Sequence, residues 1–558
     1  MNLTTRWILL AGLLCVSVSG FSQQAFNAYF TPAKKYLQLP VKNGAPKKNV
    51  EIWKDGVLVR FFDIELSEDR ADWFAYLDIS EWKGDSIELR VDKLALGSPT
   101  FHPVVQSDLD TNSGKLYSEA LRGQFHFSPQ RGWTNDPNGM CFYQGQYHLF
   151  FQHNPYGRGW GNMTWGHAVS KDMIHWKEIG DALHPDGYGP MFSGTAVVDS
   201  NNTSGFGKPG TPAMVMFFTG AKAWCQGLAW TTDGMYFQKM DHAAVPRVRT
   251  DNRDPKVFWY APGNHWVMLF WVEQEGGQHS MQFLRSDNLK DWTKTSIVRG
   301  GVKDDRYLHE CPDFFELPVD GNPANTRWVL SAANSVYAIG SFDGKTFRPD
   351  AERLVGQVGR GYYAAQTFSN EPTGRRIEIG WWQTATDKGD MAFNQSMTIP
   401  MELKLITTPE GIRMVRIPVK ELETLRRRTI RSGAISLSEK SDDPLGETQA
   451  ELLEFRMVAT PGKSSAIHID IRGLEVLYDA AAGELSCDGI KAKIPLQQGN
   501  LQLTVYADRT GLEIFANNGL YYMPVNKNIS GTKSSISVTG GKCSFKQLDV
   551  FELKAAWE

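Results

Sequence analysis

The sequence predicts an all-β protein: a small N-terminal β domain, then a five-bladed β-propeller, then a C-terminal β-sandwich. Three observations carry that prediction. Short alternating or apolar runs broken by Gly, Asp and Asn recur along the 558 residues, while helical periodicity is scarce. A motif repeats through the middle of the chain at the interval of one four-stranded propeller blade with generous loops. The composition combines 52 Gly with 18 Trp, 18 Tyr and 30 Phe, which suits many turns, many short strands and faces that stack on sugar rings. Hydrophobic residues at 41% and charged residues at 22% exclude a disordered or fibrous chain. A formal charge of -3, with no like-charge run longer than Arg426 to Arg428, argues against a nucleic-acid partner.

Residues 1–22 read as a signal peptide: Arg6 supplies the positive flank, Trp7 to Val18 the apolar stretch, and Ser19, Gly20 and Ser22 the small residues near a cleavage point. The apolar run is shorter than the roughly 20 residues that span a bilayer, and Leu13-Leu14 before Cys15 argue against lipidation. The expectation is an exported protein, periplasmic or extracellular, with no membrane span. The remaining Cys141, Cys225, Cys311, Cys487 and Cys543 are odd in number and contain no CxxC pair, so neither a disulfide framework nor a zinc site is indicated.

Residues 23–118 form the expected N-terminal accessory domain, where Lys54-Asp55-Gly56 between Glu51-Ile52-Trp53 and Val57 to Ile64 signals a hairpin. The turn-rich stretch Gln106 to Gly114 separates it from the propeller, assigned to residues 119–418. There the pattern Ser/Thr-x-Asp/Asn-x3-Trp/Phe occurs four times: Ser170, Asp172, Trp176; Thr231, Asp233, Phe237; Ser286, Asn288, Trp292; and Ser341, Asp343, Phe347. The aromatic positions are 61, 55 and 55 residues apart, so four copies and a closing unit make five blades. Residues 419–429 read as a linker helix with an acidic start and a basic end that complement its dipole. Strand patterns resume at Ala466 to Ile471, Leu501 to Ala507 and Gly511 to Ala516, the basis for a sandwich over residues 430–558.

A second series runs in step with the repeat. Asp136, Ser193, Asp254, Glu310 and Tyr363 are separated by 57, 61, 56 and 53 residues, one per blade, and equivalent points on successive blades surround a common axis. Three of the five are carboxylates flanked by Pro and aromatics: Trp133 to Gly139 around Asp136, Arg253-Asp254-Pro255, and Glu310-Cys311-Pro312-Asp313-Phe314-Phe315. Pro holds the backbone still, and aromatic walls lower the dielectric and move a carboxyl's pKa. Taken singly, Asn-Asp-Pro-Asn-Gly reads as a turn, Arg253-Asp254 as an ion pair and Glu310 as a solvated acid. Together, in blade phase, they supply the differently placed carboxyl groups that glycoside hydrolysis requires.

From Phe125 to the C-terminus the chain resembles glycoside hydrolase family 32, the invertases, inulinases and levanases. The matching segments, in order, are Trp133 to Met140, Phe150 to Pro155, Trp165 to Ala168, Phe192 to Val197, Arg253 to Phe258, Glu310 to Phe315 and Tyr362 to Gln366. Asp508-Arg509-Thr510 is similar to the family's Asp-Arg-Ser strand, and Thr134 stands where the first motif usually has Met. The resemblance implies that Asp136 is the nucleophile, Glu310 the general acid and base, and Asp254 a stabiliser that binds the sugar's hydroxyls. It implies a terminal-fructose pocket lined by Asn135, Gln152, Trp160, Phe192, Ser193, Arg253, Tyr363 and Trp381. It also implies a retaining β-fructosidase acting on levan, inulin or sucrose, exo-acting in preference to endo-acting, without a metal or organic cofactor. A fructosyltransferase on the same site and a catalytically silent carbohydrate-binding propeller are the alternatives. Glu310 is expected to carry a raised pKa, through burial or through Asp136 nearby.

Overall fold

Alternation of side-chain type along the sequence becomes alternation of burial. Tyr36–Val41 buries Leu37, Leu39 and Val41 and leaves the residues between them half-buried. Asp55 and Gly56, with φ of 50° and 77°, join Lys48–Lys54 to Val57–Ile64, the positive-φ pair that a two-residue hairpin needs to match strand twist. The computed structural model describes residues 23–95, 105–109, 116–350, 353–388, 391–446 and 448–557. The expected signal peptide, with Cys15, lies outside the described residues, as do 110–114 of the expected domain boundary. Among the described residues no helix is long and apolar enough to cross a membrane.

Contacts divide the chain into two compact units, with borders after Val57, before Asp63 and after Leu109. The first is built on two sheets. One runs in the order Gln23–Phe30, Ile87–Ala95, Lys48–Lys54, and the other Trp73–Asp78, Tyr36–Val41, Val105–Ser107.

The second unit opens with antiparallel groups of four strands taken in sequence order. Gly132–Tyr143, Gln146–Asn154, Thr164–Ser170 and Lys177–Leu183 form the first. Met191–Asp199 to Gln238–Lys239 form the second, and Arg253–Tyr260 to Thr293–Val302 the third. A fourth group, Asp313–Val319 to Phe347–Pro349, joins a fifth containing Tyr362–Thr367, Ile377–Trp382 and Met401–Thr408 through a parallel pairing of Val319 with Leu405. The chain then returns to its start: Phe393–Asn394 pairs in parallel with Gly132 and Trp133.

The sequence repeat is one turn built four times. Asp172 Oδ1 accepts from the amides of Ile174 and His175, Asp233 Oδ1 from Met235 and Tyr236, Asn288 Oδ1 from Lys290 and Asp291, and Asp343 Oδ1 from Lys345 and Thr346. In the first three the preceding hydroxyl, of Ser170, Thr231 or Ser286, accepts the amide of that Asp or Asn. These are local side-chain-to-backbone bonds that favour a turn over continued strand.

The linker differs from expectation. A 3-10 helix spans only Lys420–Leu425, and Arg426–Arg431 is already a strand paired with Lys542–Leu553. Leu422 and Leu425 are fully buried at the three-residue spacing that a 3-10 turn places on one side. The basic residues meet carboxylates instead of helix carbonyls: Arg426 lies 2.7 Å from Glu454 and Arg428 2.8 Å from Glu552. Beyond it, a sheet led by Arg426–Arg431 and Lys542–Leu553 and a five-stranded sheet from Ala466–Ile471 to Ser534–Thr539 contribute to one buried apolar cluster.

Residues 119–418 and 430–558, expected as separate domains, fall in one contact unit. A buried histidine ties them together. His126 Nδ1 lies 2.8 Å from Asp508 Oδ2 and Nε2 2.8 Å from Glu513 Oε1, with all three side chains fully buried. Asp508 also accepts the amides of Gln124 and Phe125, Glu513 accepts that of Ile399, and the imidazole stacks on Trp382 at 5.3 Å. Burial would push the imidazole's pKa down, but the two carboxylates outweigh it and raise it to about 9. The clamp's contribution is therefore complete below about pH 6.5 and fades as pH rises through about 9. His126→Gln should lower stability by about 3–5 kcal/mol near neutral pH, because it leaves buried carboxylates unpaired. Thermal melts across pH check this: the gap to wild type should narrow above pH 9.

Candidate active site

The first strand of each group carries a predicted site residue at or just before its start. Asn135 and Asp136 lie on Gly132–Tyr143, Phe192 and Ser193 on Met191–Asp199, Arg253 and Asp254 on Arg253–Tyr260, and Tyr363 on Tyr362–Thr367, while Glu310 and Cys311 precede Asp313–Val319. Pairing breaks register where they sit: between Thr134 and Pro137, Phe192 and Gly194, Arg253 and Lys256, and Tyr363 and Gln366. Such bulges re-aim side chains out of the pleat. Asn-Asp-Pro-Asn-Gly, which reads as a turn by itself, is thus a bulged strand. Asp254, Glu310, Cys311 and Ala364 adopt φ of 65°, 42°, 42° and 51°, the left-handed region that costs a non-glycine residue about 1–3 kcal/mol.

These starts converge. Cys311, buried next to Glu310, meets both aspartates: its thiol lies 3.3 Å from Asp136 Oδ2 and 3.4 Å from Asp254 Oδ2, and its amide donates to Asp254 at 2.9 Å. Asp136, open in part to the cavity, accepts from Ser193 Oγ at 2.6 Å and from Asn135 Nδ2 at 3.0 Å. Arg253 donates through Nη2 and Nε to Glu310 Oε2 at 2.8 and 3.2 Å, reaches Asp254 at 3.8 Å and holds Asp251. Tyr363 donates its hydroxyl to Glu310 Oε1 at 2.5 Å.

Aromatic side chains form the walls. Trp381 stands edge-on to Trp133 and Tyr363, and Trp160, 59% exposed, stands edge-on to Phe192. Gln152 is buried and donates to the Met191 carbonyl beside Phe192. Thr134 is fully buried, its hydroxyl without a protein partner, behind the residues that face the cavity. Every predicted site residue therefore joins this constellation or its aromatic rim.

Other participants were not among the expected site residues, though Trp133 and Cys311 lie within the motifs around Asp136 and Glu310. Trp133 donates to Asn135, Thr219 accepts the Asp254 amide, and Trp224, at φ 52°, stands edge-on to Phe192. Trp271 underlies the Arg253 guanidinium at 4.2 Å, and Cys311 links the two aspartates. Positive φ at Trp224 is a backbone property with no side-chain signature. Cys311 was within reach of sequence reasoning, since it sits inside a quoted motif.

Burial raises the Asp136 carboxyl, against the hydrogen bonds of Ser193 and Asn135. It raises Asp254 to about 7, with Glu310 and Asp136 adding to the shift and Arg253 opposing it. Glu310 corrects the expectation: burial pushes its pKa up, but Arg253, His309 and Tyr363 outweigh burial and hold it below the ordinary value. The guanidinium fork on Oε2 was not visible in the spacing of Arg253 and Glu310.

The model described as Glycosyl hydrolases family 32 N-terminal domain matches residues 126–418. The chain belongs to glycoside hydrolase family 32. It is 35% identical to a levanase of Bacillus subtilis, over 80% of this chain and 72% of that one. It is 30% identical to the extracellular exo-inulinase of Aspergillus ficuum, over 79% of this chain and 96% of that one. The crystal structure of exo-inulinase from Aspergillus awamori superposes with a TM-score of 0.70 at 28% identity, covering 79% of this chain and all of that one.

A family 32 site with a buried carboxyl raised to about 7 stores instability when it ionises. The unfolded chain releases that proton near pH 4 and the folded one near 7, so Asp254 destabilises the fold increasingly between those values and fully above them. Asp254→Asn should melt above wild type by on the order of 2–4 kcal/mol near pH 8, and match it near pH 4. Melting curves at the two pH values check this.

Proposed function

We propose that this family 32 member is a retaining β-fructosidase that removes terminal fructose from fructans or sucrose. The observation that carries the reading is the meeting of Asp136, Asp254 and Glu310 around Cys311 and Arg253. Asp136 attacks the anomeric C2 while Glu310 protonates the departing oxygen. Glu310, now a carboxylate, then takes a proton from water, whose oxygen bonds to C2 as the Asp136 ester breaks. Asp254 and Arg253 hold the sugar's hydroxyls. Ser193 and Asn135 hold Asp136 in position, and Trp160, Phe192, Gln152, Tyr363 and Trp381 shape the pocket.

The free site keeps Glu310 ionised, the form needed for the second step. Sugar hydroxyls that engage Arg253 draw it away from Oε2, and burial then raises Glu310 toward the protonated form needed for the first. Relatives named levanase and exo-inulinase support a fructan substrate and exo action.

The five strand groups, with Phe393–Asn394 closing the last onto the first, support a five-bladed propeller over 119–418. The two sheets that share a core support a sandwich over 430–558. Residues 23–118 form an accessory β module. Residues 1–22, read as a signal peptide, and relatives named extracellular exo-inulinase support export.

Asp136→Ala should lower turnover of sucrose, inulin or levan by about 10³-fold or more with an unchanged melt, since Pro137 and Gly139 still shape the strand. Activity within tenfold of wild type would refute the role. Glu310→Gln should stall on natural substrates yet give a burst on an aryl fructoside, whose leaving group needs no acid. Equal loss on both, with no burst, would remove Glu310 from its role.

A further inference from the structure

His309 stands beside Glu310 Oε1, the oxygen that also accepts from Tyr363. Its Nδ1 lies 3.5 Å from Glu310 Oε1, while Arg253 occupies Oε2. One indole carries both neighbours: Arg253 lies flat on Trp271 at 4.2 Å, and the His309 ring stands edge-on to it at 5.2 Å. His279 closes the other side, edge-on at 4.6 Å and tied by Nε2 to the Lys303 carbonyl.

Backbone bonds fix the ring's direction. The His309 amide donates to the Arg306 carbonyl, the Ala333 amide donates to the carbonyls of His309 and Glu310, and Leu308 and Glu310 on either side have φ of 56° and 42°. Nδ1 is buried and makes no hydrogen bond within the protein, so Oε1 is the acceptor it faces.

We propose that His309 is a positioning residue for Glu310: from its seat on Trp271 its Nδ1–H stabilises the carboxylate at Oε1, opposite Arg253, and sets the pH at which Glu310 turns from acid to base. The inference rests on the acid/base role proposed for Glu310. A hydrogen on Nδ1 is required electrostatically, because the other tautomer would set a lone pair against a carboxylate oxygen. The ring itself is neutral at working pH. Burial, His279, Arg253 and Arg306 hold it down to about 4 against the pull of Glu310. Glu310 in turn faces Arg253, Tyr363, Asp254, Asp136, Asp251 and Cys311, all of which a change at His309 leaves in place.

A donor to the ionised form lowers a carboxyl's pKa, so its removal raises it. His309→Phe keeps a ring on Trp271 and deletes the donor. The alkaline limb of kcat against pH, which reports Glu310 in the substrate complex, measured on sucrose or inulin, should move up by roughly half to one pH unit, with the acid limb in place and KM within about twofold. His309→Gln, whose amide can donate to Oε1, should lie nearer to wild type. If the Phe variant does not fold, His309→Met against His309→Gln makes the same comparison at similar volume. Superimposable profiles, or equal shifts with and without a donor, would overturn the proposal. Glu310→Gln separates the two claims: if it stalls as expected while the His309 profiles coincide, only the role of His309 falls.

Discussion

The guanidinium of Arg253 bonds Glu310 and Asp251 and lies beside Asp254, and it sorts the protons of the site. Burial pushes up every carboxyl in the cavity. With Arg253 on Oε2, Glu310 is held ionised, while Asp254 at about 7 and Asp136 above its ordinary value bear the effect of burial. A lysine could not do this. It offers one point charge, whereas the planar fork bonds one carboxylate through two nitrogens, another through a third, and lies flat on Trp271.

Such crowding needs backbone in unfavourable places, and the strand groups supply it. Regular pairing resumes beyond the bulges at the site, on Gly132–Tyr143 only after a second register shift between Asn138 and Cys141, so the strain at a strand's start is held by the ladder beyond it. Asp254 lies on, and the Glu310-Cys311 pair just before, strands whose buried residues Lys256 and Asp313 meet at 2.7 Å only two and three residues later. Local instability at the carboxyls is carried by apolar clusters beneath them. Val267, Leu269 and Trp271 from the third group pack with Phe314, Trp328 and Leu330 from the fourth.

The C-terminal sheets share one contact unit with the strand groups before them, and one link between the two is charged and fully buried. A doubly paired imidazolium between Asp508 and Glu513 is satisfied only when residues 124–126, 399 and 508–513 are together, so neither half can separate without stranding a buried charge. Asp508-Arg509-Thr510, which the resemblance likened to a strand, is the end of Leu501–Asp508 and the turn into Gly511–Ala516, with Asp508 bonded to His126.

The sequence by itself determined the all-β class, the four repeats of the turn motif and the family, and it picked out the three carboxylates of the candidate site, because each is written in local residue order. The Ser/Thr-x-Asp/Asn turns close through bonds spanning two or three residues. The site motifs were legible because they recur in phase with those turns. Tertiary structure decided the rest. It shortened the linker helix at Arg426, where Glu454 and a partner strand outcompete a helix end. It chose Trp271 and Trp224 as neighbours of the site, and it reversed the expected shift of Glu310. Those outcomes depend on hydrogen bonds and screened Coulomb interactions that act over a few ångströms between groups tens to hundreds of residues apart, and residue spacing does not encode such distances until the chain has folded.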